Sequence, residues 1–194
     1  TGVEKWKFET GDWVSSSPVI SGDMIYFSSG DNHLYAVNMT TRKKIWEFKT
    51  NDSIYASPVV SEGIVYFGGD DSHLYAVDIN TGKEKWKFKT GNKIYCTPAI
   101  LNGAVYFGSN DNHLYAIDIN TGEEKWNYNT GNSVCSKPII LDEMVYFCSS
   151  NYLYEVNIRT GKGESKLKTG NDIYGVQGIS NGIVYFGSND NHLY

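Results

Sequence analysis

The sequence predicts an all-β protein: a β-propeller of five four-stranded antiparallel blades, forming one domain over residues 1–194. Three observations predict it. A Tyr-Phe pair recurs at Tyr26-Phe27, Tyr66-Phe67, Tyr106-Phe107, Tyr146-Phe147 and Tyr185-Phe186, at spacings of 40, 40, 40 and 39 residues, and a fixed period of this length marks a repeat architecture. Within each period, short apolar runs alternate with polar turns, a period-2 pattern that excludes a helical solenoid. The composition of 15 Tyr, 20 Gly and only 4 Pro favours strands joined by tight turns.

The third period shows each element in order. Residues 94–101 carry Pro98 and apolar side chains and read as a first strand; Asn102-Gly103 is a hairpin turn, and Ala104-Val105-Tyr106-Phe107 is the second strand. Ser109 to Asn112 is a polar turn, and Leu114 to Ile119 is a third strand stopped by Asn120-Thr121-Gly122. Glu124 to Asn129 is the fourth. Connections this short make sequential strands pair antiparallel as a meander, the blade of a propeller. Trp86 and Phe88 alternate with Lys85, Lys87 and Lys89, so the outer strand is half solvated. Ile64-Val65-Tyr66-Phe67 is apolar on both faces, as a strand between two neighbouring blades must be.

The chain begins within a fourth strand and stops at His192-Leu193-Tyr194, inside a third, while Thr1, Thr41, Thr81, Thr121 and Thr160 set the phase. The expectation is that the N-terminal strand, with Trp6, completes the last blade and removes both open edges.

Composition excludes several function classes. The net charge of -5 comes without any basic block, so nucleic acid is not an expected partner. No apolar run approaches the roughly 20 residues that span a bilayer, and residues 1–10 hold no signal-peptide core; a soluble chain is expected. Cys96, Cys135 and Cys148 are odd in number and widely spaced, which predicts structural thiols rather than a disulfide framework or a metal site.

Among candidate site residues, His33, His73, His113 and His192 share one repeat position. Equivalent positions on separate blades are too far apart to bind one ion unless they line the axis, so no metal is expected. Asp31, Asp71, Asp111 and Asp190 sit in Gly/Asn/Ser turns, where Asp caps backbone N–H groups. No catalytic constellation stands out. Ser15, Tyr55, Tyr95, Cys135 and Tyr174 fall at the start of the first strand, nearest the axis. Tyr55, Tyr95 and Tyr174 are the ligand-binding candidates, because aromatic rings give a large contact area with a polar handle.

The stretches Ala76-Val77-Asp78-Ile79-Asn80-Thr81-Gly82-Lys83-Glu84-Lys85-Trp86 and Ala116-Ile117-Asp118-Ile119-Asn120-Thr121-Gly122-Glu123-Glu124-Lys125-Trp126 resemble the tryptophan-docking motif of pyrroloquinoline-quinone (PQQ) type propeller repeats. The resemblance covers essentially the whole chain. It implies that Trp6, Trp46, Trp86 and Trp126 are structural, each docking between adjacent blades near the Gly turn. Blade four departs, with Glu155 for Ala, Asn157 for Asp and Ser165 for Trp, and local loosening is expected there. Some proteins of this resemblance are quinone-dependent dehydrogenases, with a vicinal cysteine disulfide, a calcium site and long catalytic loops; none of these is visible in the sequence. Others are non-enzymatic scaffolds. The expectation is therefore a scaffold that binds protein or glycan, is not an enzyme and needs no cofactor, with a PQQ-dependent dehydrogenase or a fragment of one as the alternative. The resemblance points to the cell envelope or exterior, and the free thiols leave the cytoplasm open.

Overall fold

The computed structural model describes residues 2–194, and they contain strands and turns and no helix. Four sheets have four strands each in meander order: β1 (Val19–Ser21) to β4 (Lys44–Lys49), β5 (Val59–Ser61) to β8 (Glu84–Lys89), β9 (Ala99–Leu101) to β12 (Glu124–Asn129), and β13 (Ile139–Leu141) to β16 (Gly163–Lys168). A fifth has three strands, β17 (Ile173–Ser180), β18 (Ile183–Ser188) and β19 (His192–Leu193). The all-β propeller architecture is that predicted, down to the bounds of the Glu124–Asn129 strand. The first strands are shorter than predicted: residues 94–98 stay off the ladder, and only Ala99–Leu101 pair with β10 (Ala104–Gly108).

Local chemistry explains the joints. Asn102 and Gly103 both take positive φ, 50° and 71°, the pairing that a two-residue hairpin turn needs. At the next corner, Asp118 Oδ1 accepts the N–H groups of Asn120 and Thr121, an Asx turn that reverses the chain before β12. Beyond the corner the ladder slips between Ala116 and Ile117, and the same slip recurs in blades one, two and four. Such bulges twist and bend the strand that carries them.

Blades pack face to face. Tyr66, Leu74 and Ala76 of blade two meet Ile94, Val105, Phe107 and Ile117 of blade three. The repeat then places blade three against blade four through Tyr106, Leu114 and Phe147. Apolar residues line both faces of the middle strands for this reason, and the core is a series of inter-blade layers.

The N-terminal strand does not complete the last blade, which corrects the closure expected from the phase of the termini. Trp6 and Phe8 pack on Phe27, Tyr35 and Val37 of blade one, in the outer position that Trp46 and Phe48 take against blade two. Yet β19 pairs with β18 alone. The core of the fifth sheet, around Ile173 and Phe186, draws only on blade four. On its other face Tyr185 is 40% exposed where its equivalent Tyr66 is 1% exposed. The described blades form an open arc.

Candidate functional site

The meander fixes which turns share an end of the arc. The chain descends β1, rises along β2 (Met24–Ser28), descends β3 (His33–Asn38) and rises along β4. The β2–β3 turns and the β4-to-β1 crossings therefore lie together at one end of the blades. Here the crossings touch the turn of the preceding blade. Ser53 Oγ donates to the Gly30 carbonyl, Cys135 Sγ lies 3.0 Å from Asn110 Oδ1, and Ser150 Oγ donates to Asp172 Oδ1. Between blades two and three the contact is ionic: Lys93 Nζ lies 2.8 Å from Asp70 Oδ2, and the Tyr95 hydroxyl donates to the same oxygen at 3.3 Å. The Asp70 carboxylate and the Tyr95 hydroxyl hold the Lys93 ammonium well above its usual pKa. Asp70 is 6% exposed, and its Oδ1 makes no hydrogen bond.

Of the three predicted mouth tyrosines, the structure brings two together. The rings of Tyr55 and Tyr95 are 6.4 Å apart and tilted by 34°, and Lys93 Nζ stands 5.8 Å from the centre of the Tyr95 ring. Tyr174 stands apart, 79% exposed. It borders a cavity of about 150 Å³ shared with Cys135, Ser150 and Asp172. Sequence reasoning missed Asp70 and Lys93. A signal was available: position 70 has Gly30, Asn110, Ser150 and Asn189 as its equivalents, and Lys93 has Ser53 and Ser133, so both break the repeat.

The histidine-bearing turns are structural. Asp31 Oδ2 accepts from the Tyr35 hydroxyl and from the Gly11 N–H, both at 2.7 Å, and Oδ1 accepts the His33 N–H. Asp71, Asp111 and Asp190 repeat the pattern toward Tyr75, Tyr115 and Tyr194. Each Asp thus clips an outer strand to the inner turn, and the buried Tyr75 and Tyr115 hydroxyls are pushed well above their ordinary pKa by burial and by these carboxylates. Among the described residues, no group of three or more His, Cys, Asp or Glu could hold a metal ion.

At the opposite end, Trp46 Nε1–H donates to the Ile79 carbonyl at 2.9 Å, Trp86 to Ile119 at 3.0 Å and Trp126 to Ile158 at 2.8 Å. Each indole lies on the Gly of the next Thr-Gly corner, so close that a Cβ on Gly82 would stand 2.8 Å from Trp46. Trp6 packs against blade one, whose corner carries Arg42 at φ 61° in place of Gly. In blade four a polar triad replaces the indole: Glu155 accepts from Ser165 Oγ at 2.5 Å and from the Tyr146 hydroxyl at 3.0 Å. The outer strand β16 is exposed throughout.

The architecture and the docked corners define a propeller of PQQ-type repeats. The chain belongs to the family described as outer membrane protein assembly factor BamB, whose model matches residues 1–57 and 50–173. Two solved structures are similar in fold. A computationally designed protein, Ika8, superposes with a TM-score of 0.81 at 16% identity, over 91% of this chain and 56% of its own. BamB from Moraxella catarrhalis superposes with a TM-score of 0.80 at 20% identity, over 92% of this chain and 56% of its own. The chain thus spans just over half the length of each. No curated protein matches the sequence. No helix among the described residues is long and apolar enough to cross a membrane.

Proposed function

We propose that this chain is a non-catalytic scaffold that binds a segment of a partner protein at the axial mouth. The reading rests on convergence: Lys93 and Tyr95, from one crossing, meet Asp70 on the turn of the preceding blade, and the Tyr55 ring of another crossing lies 6.4 Å from that of Tyr95. A concave site needs such convergence, and paired Tyr rings beside charged groups are the side chains that anchor protein interfaces. The name of the family, an outer membrane protein assembly factor, supports protein over glycan as the partner. The repeated Asp side chains elsewhere are committed to clips and corner caps, and a scaffold asks no more of them.

The test is to place a photoreactive benzoylphenylalanine at position 174 or, as a rim control, at position 152, and to identify crosslinked proteins from cell-envelope extracts. Partners captured from position 174 should bind the Tyr55→Ala/Tyr95→Ala variant more weakly by at least about 1 kcal/mol per aromatic, with the fold intact. Affinity that survives this double change but falls when His73 and His113 are altered would move the site to the histidine turns.

A further inference from the structure

We propose that the mouth recognises an arginine side chain of its partner, which takes the Asp70 carboxylate by displacing Lys93. This deepens the reading above and depends on it.

The argument starts from an unequal carboxylate. Asp70 Oδ2 meets both Lys93 Nζ and the Tyr95 hydroxyl, whereas Oδ1 is buried without a partner. A buried carboxylate oxygen without a hydrogen bond is costly. An ammonium is a compact charge that meets one oxygen here, while a guanidinium offers two parallel N–H groups at the spacing of both carboxylate oxygens. Lys93 therefore satisfies half of what Asp70 can accept, and an arginine would satisfy all of it.

The surroundings favour the exchange. The Lys93 side chain is 40% exposed and that of Asp70 only 4%, so the lysine can swing into solvent on its flexible stem while the carboxylate stays in place. The exposed ammonium regains water on leaving, and an incoming guanidinium keeps the buried carboxylate paired, so the exchange leaves no bare charge. The ring of Tyr95 already has a cation near it, and the Tyr55 ring lies beside it; a planar guanidinium stacks on such faces. The turns and crossings at this end carry Asp12, Asp31, Asp52, Asp71, Asp111 and Asp172 among their acids, against Lys93 and Lys137 as lysines. The field there draws a cationic segment in.

The repeat itself supplies variants that fold, because Asn110 occupies the place of Asp70 in blade three, and Ser53 and Ser133 occupy the place of Lys93 in blades two and four. The probe is a fluorescein-labelled glycine-serine peptide carrying two arginines, with citrulline and lysine versions, titrated by anisotropy. Binding of the arginine peptide should weaken about tenfold or more with Asp70→Asn and with citrulline. It should tighten several-fold with Lys93→Ser. Glu123→Gln makes the same charge change at the opposite end and should move affinity by less than about twofold.

Equal losses for Asp70→Asn and Glu123→Gln would reduce the effect to net charge and overturn the proposal. So would weaker binding by Lys93→Ser, or no binding of the arginine peptide at roughly millimolar protein. If the citrulline peptide binds as well as the arginine peptide but Tyr55→Ala/Tyr95→Ala abolishes both, the arginine inference fails and the mouth stands. If that double change leaves peptide binding untouched, the mouth reading fails as well.

Discussion

Two glycines in blade three separate the cost of a strained backbone from the cost of losing a docked indole. Gly103 has φ +71° with nothing within 4 Å of an added Cβ, whereas Gly122 has φ +73° and its Cβ would stand 2.8 Å from Trp86 Cδ2. Alanine at either site carries the left-handed penalty, about 1–2 kcal/mol. At Gly122 the indole must also move. That weakens its hydrogen bond to the Ile119 carbonyl, about 0.5–1.5 kcal/mol, and uncovers apolar area for roughly 1 kcal/mol more. Gly122→Ala should therefore cost about 3–4 kcal/mol and Gly103→Ala about 1–2. For a chain of 194 residues, each kcal/mol shifts Tm by roughly 2–4 °C, so the two variants are separable by circular dichroism melting and by urea titration. In a Trp86→Ala background the two costs should converge, because the clash is gone. Equal costs for both glycines in the wild-type background would refute the claim that the corners are indole-docking sites.

The thiols should divide by burial. Cys96 and Cys148 are pushed up to about 12 by burial while Cys135 is exposed, so iodoacetamide at about pH 8 should add one label to the native protein and three after denaturation. Fast labelling of more than one native thiol, read by mass spectrometry, would contradict the packing around Cys96 and Cys148. Acid sensitivity should arise in part at the corners. Lys125 and the N–H groups of Asn120 and Thr121 hold Asp118 down to about 2, below its ordinary 3.8. A depressed folded-state pKa contributes stability above the unfolded value, and that contribution is lost as pH falls from about 4 to about 2. Asp118→Asn should flatten the urea midpoint across that window and leave its shape near neutrality unchanged. Asp78 and Asp190 are lowered as well, so the window should shrink rather than vanish; a window above pH 5, or one undiminished in the variant, would remove Asp118 from the cause.

The fold was legible because its signals are local and repeated. Tyr-Phe pairs, Asn-Gly turns and Asp-Ile-Asn-Thr-Gly corners each specify a short-range geometry, and the period multiplies the evidence. Closure was not legible, because it depends on how far one blade rotates from the next, a property of inter-blade packing that no single repeat encodes. The phase of the termini permitted a shared blade, but Leu193 is left 76% exposed without an outer strand beside it. Part of the site was legible for a similar reason. Counting positions put Tyr55, Tyr95 and Tyr174 on one register, but only a structure brings Tyr95 and Lys93 onto Asp70 of the preceding blade. Tyr174 shares the register and not the neighbours, because the turn before it belongs to the shortened loop of blade four at Ser150 and Asn151.

Departures from the repeat fall into two kinds, and the distinction tells structure from recognition. At the Trp-Gly corners, a change in one partner is met by a local compensation: Ser165 replaces an indole, and Glu155 replaces Ala beside it to accept its hydroxyl and that of Tyr146. At the mouth, the change to Asp70 leaves an acceptor unfilled, although the serine and asparagine of other blades satisfy themselves or their neighbours there. Folding alone gives no reason to keep a buried carboxylate oxygen bare when Gly, Asn and Ser all serve the same turn. An acceptor that the fold leaves unused, beside Tyr95 and under a displaceable lysine, is where a partner's donor gains the most.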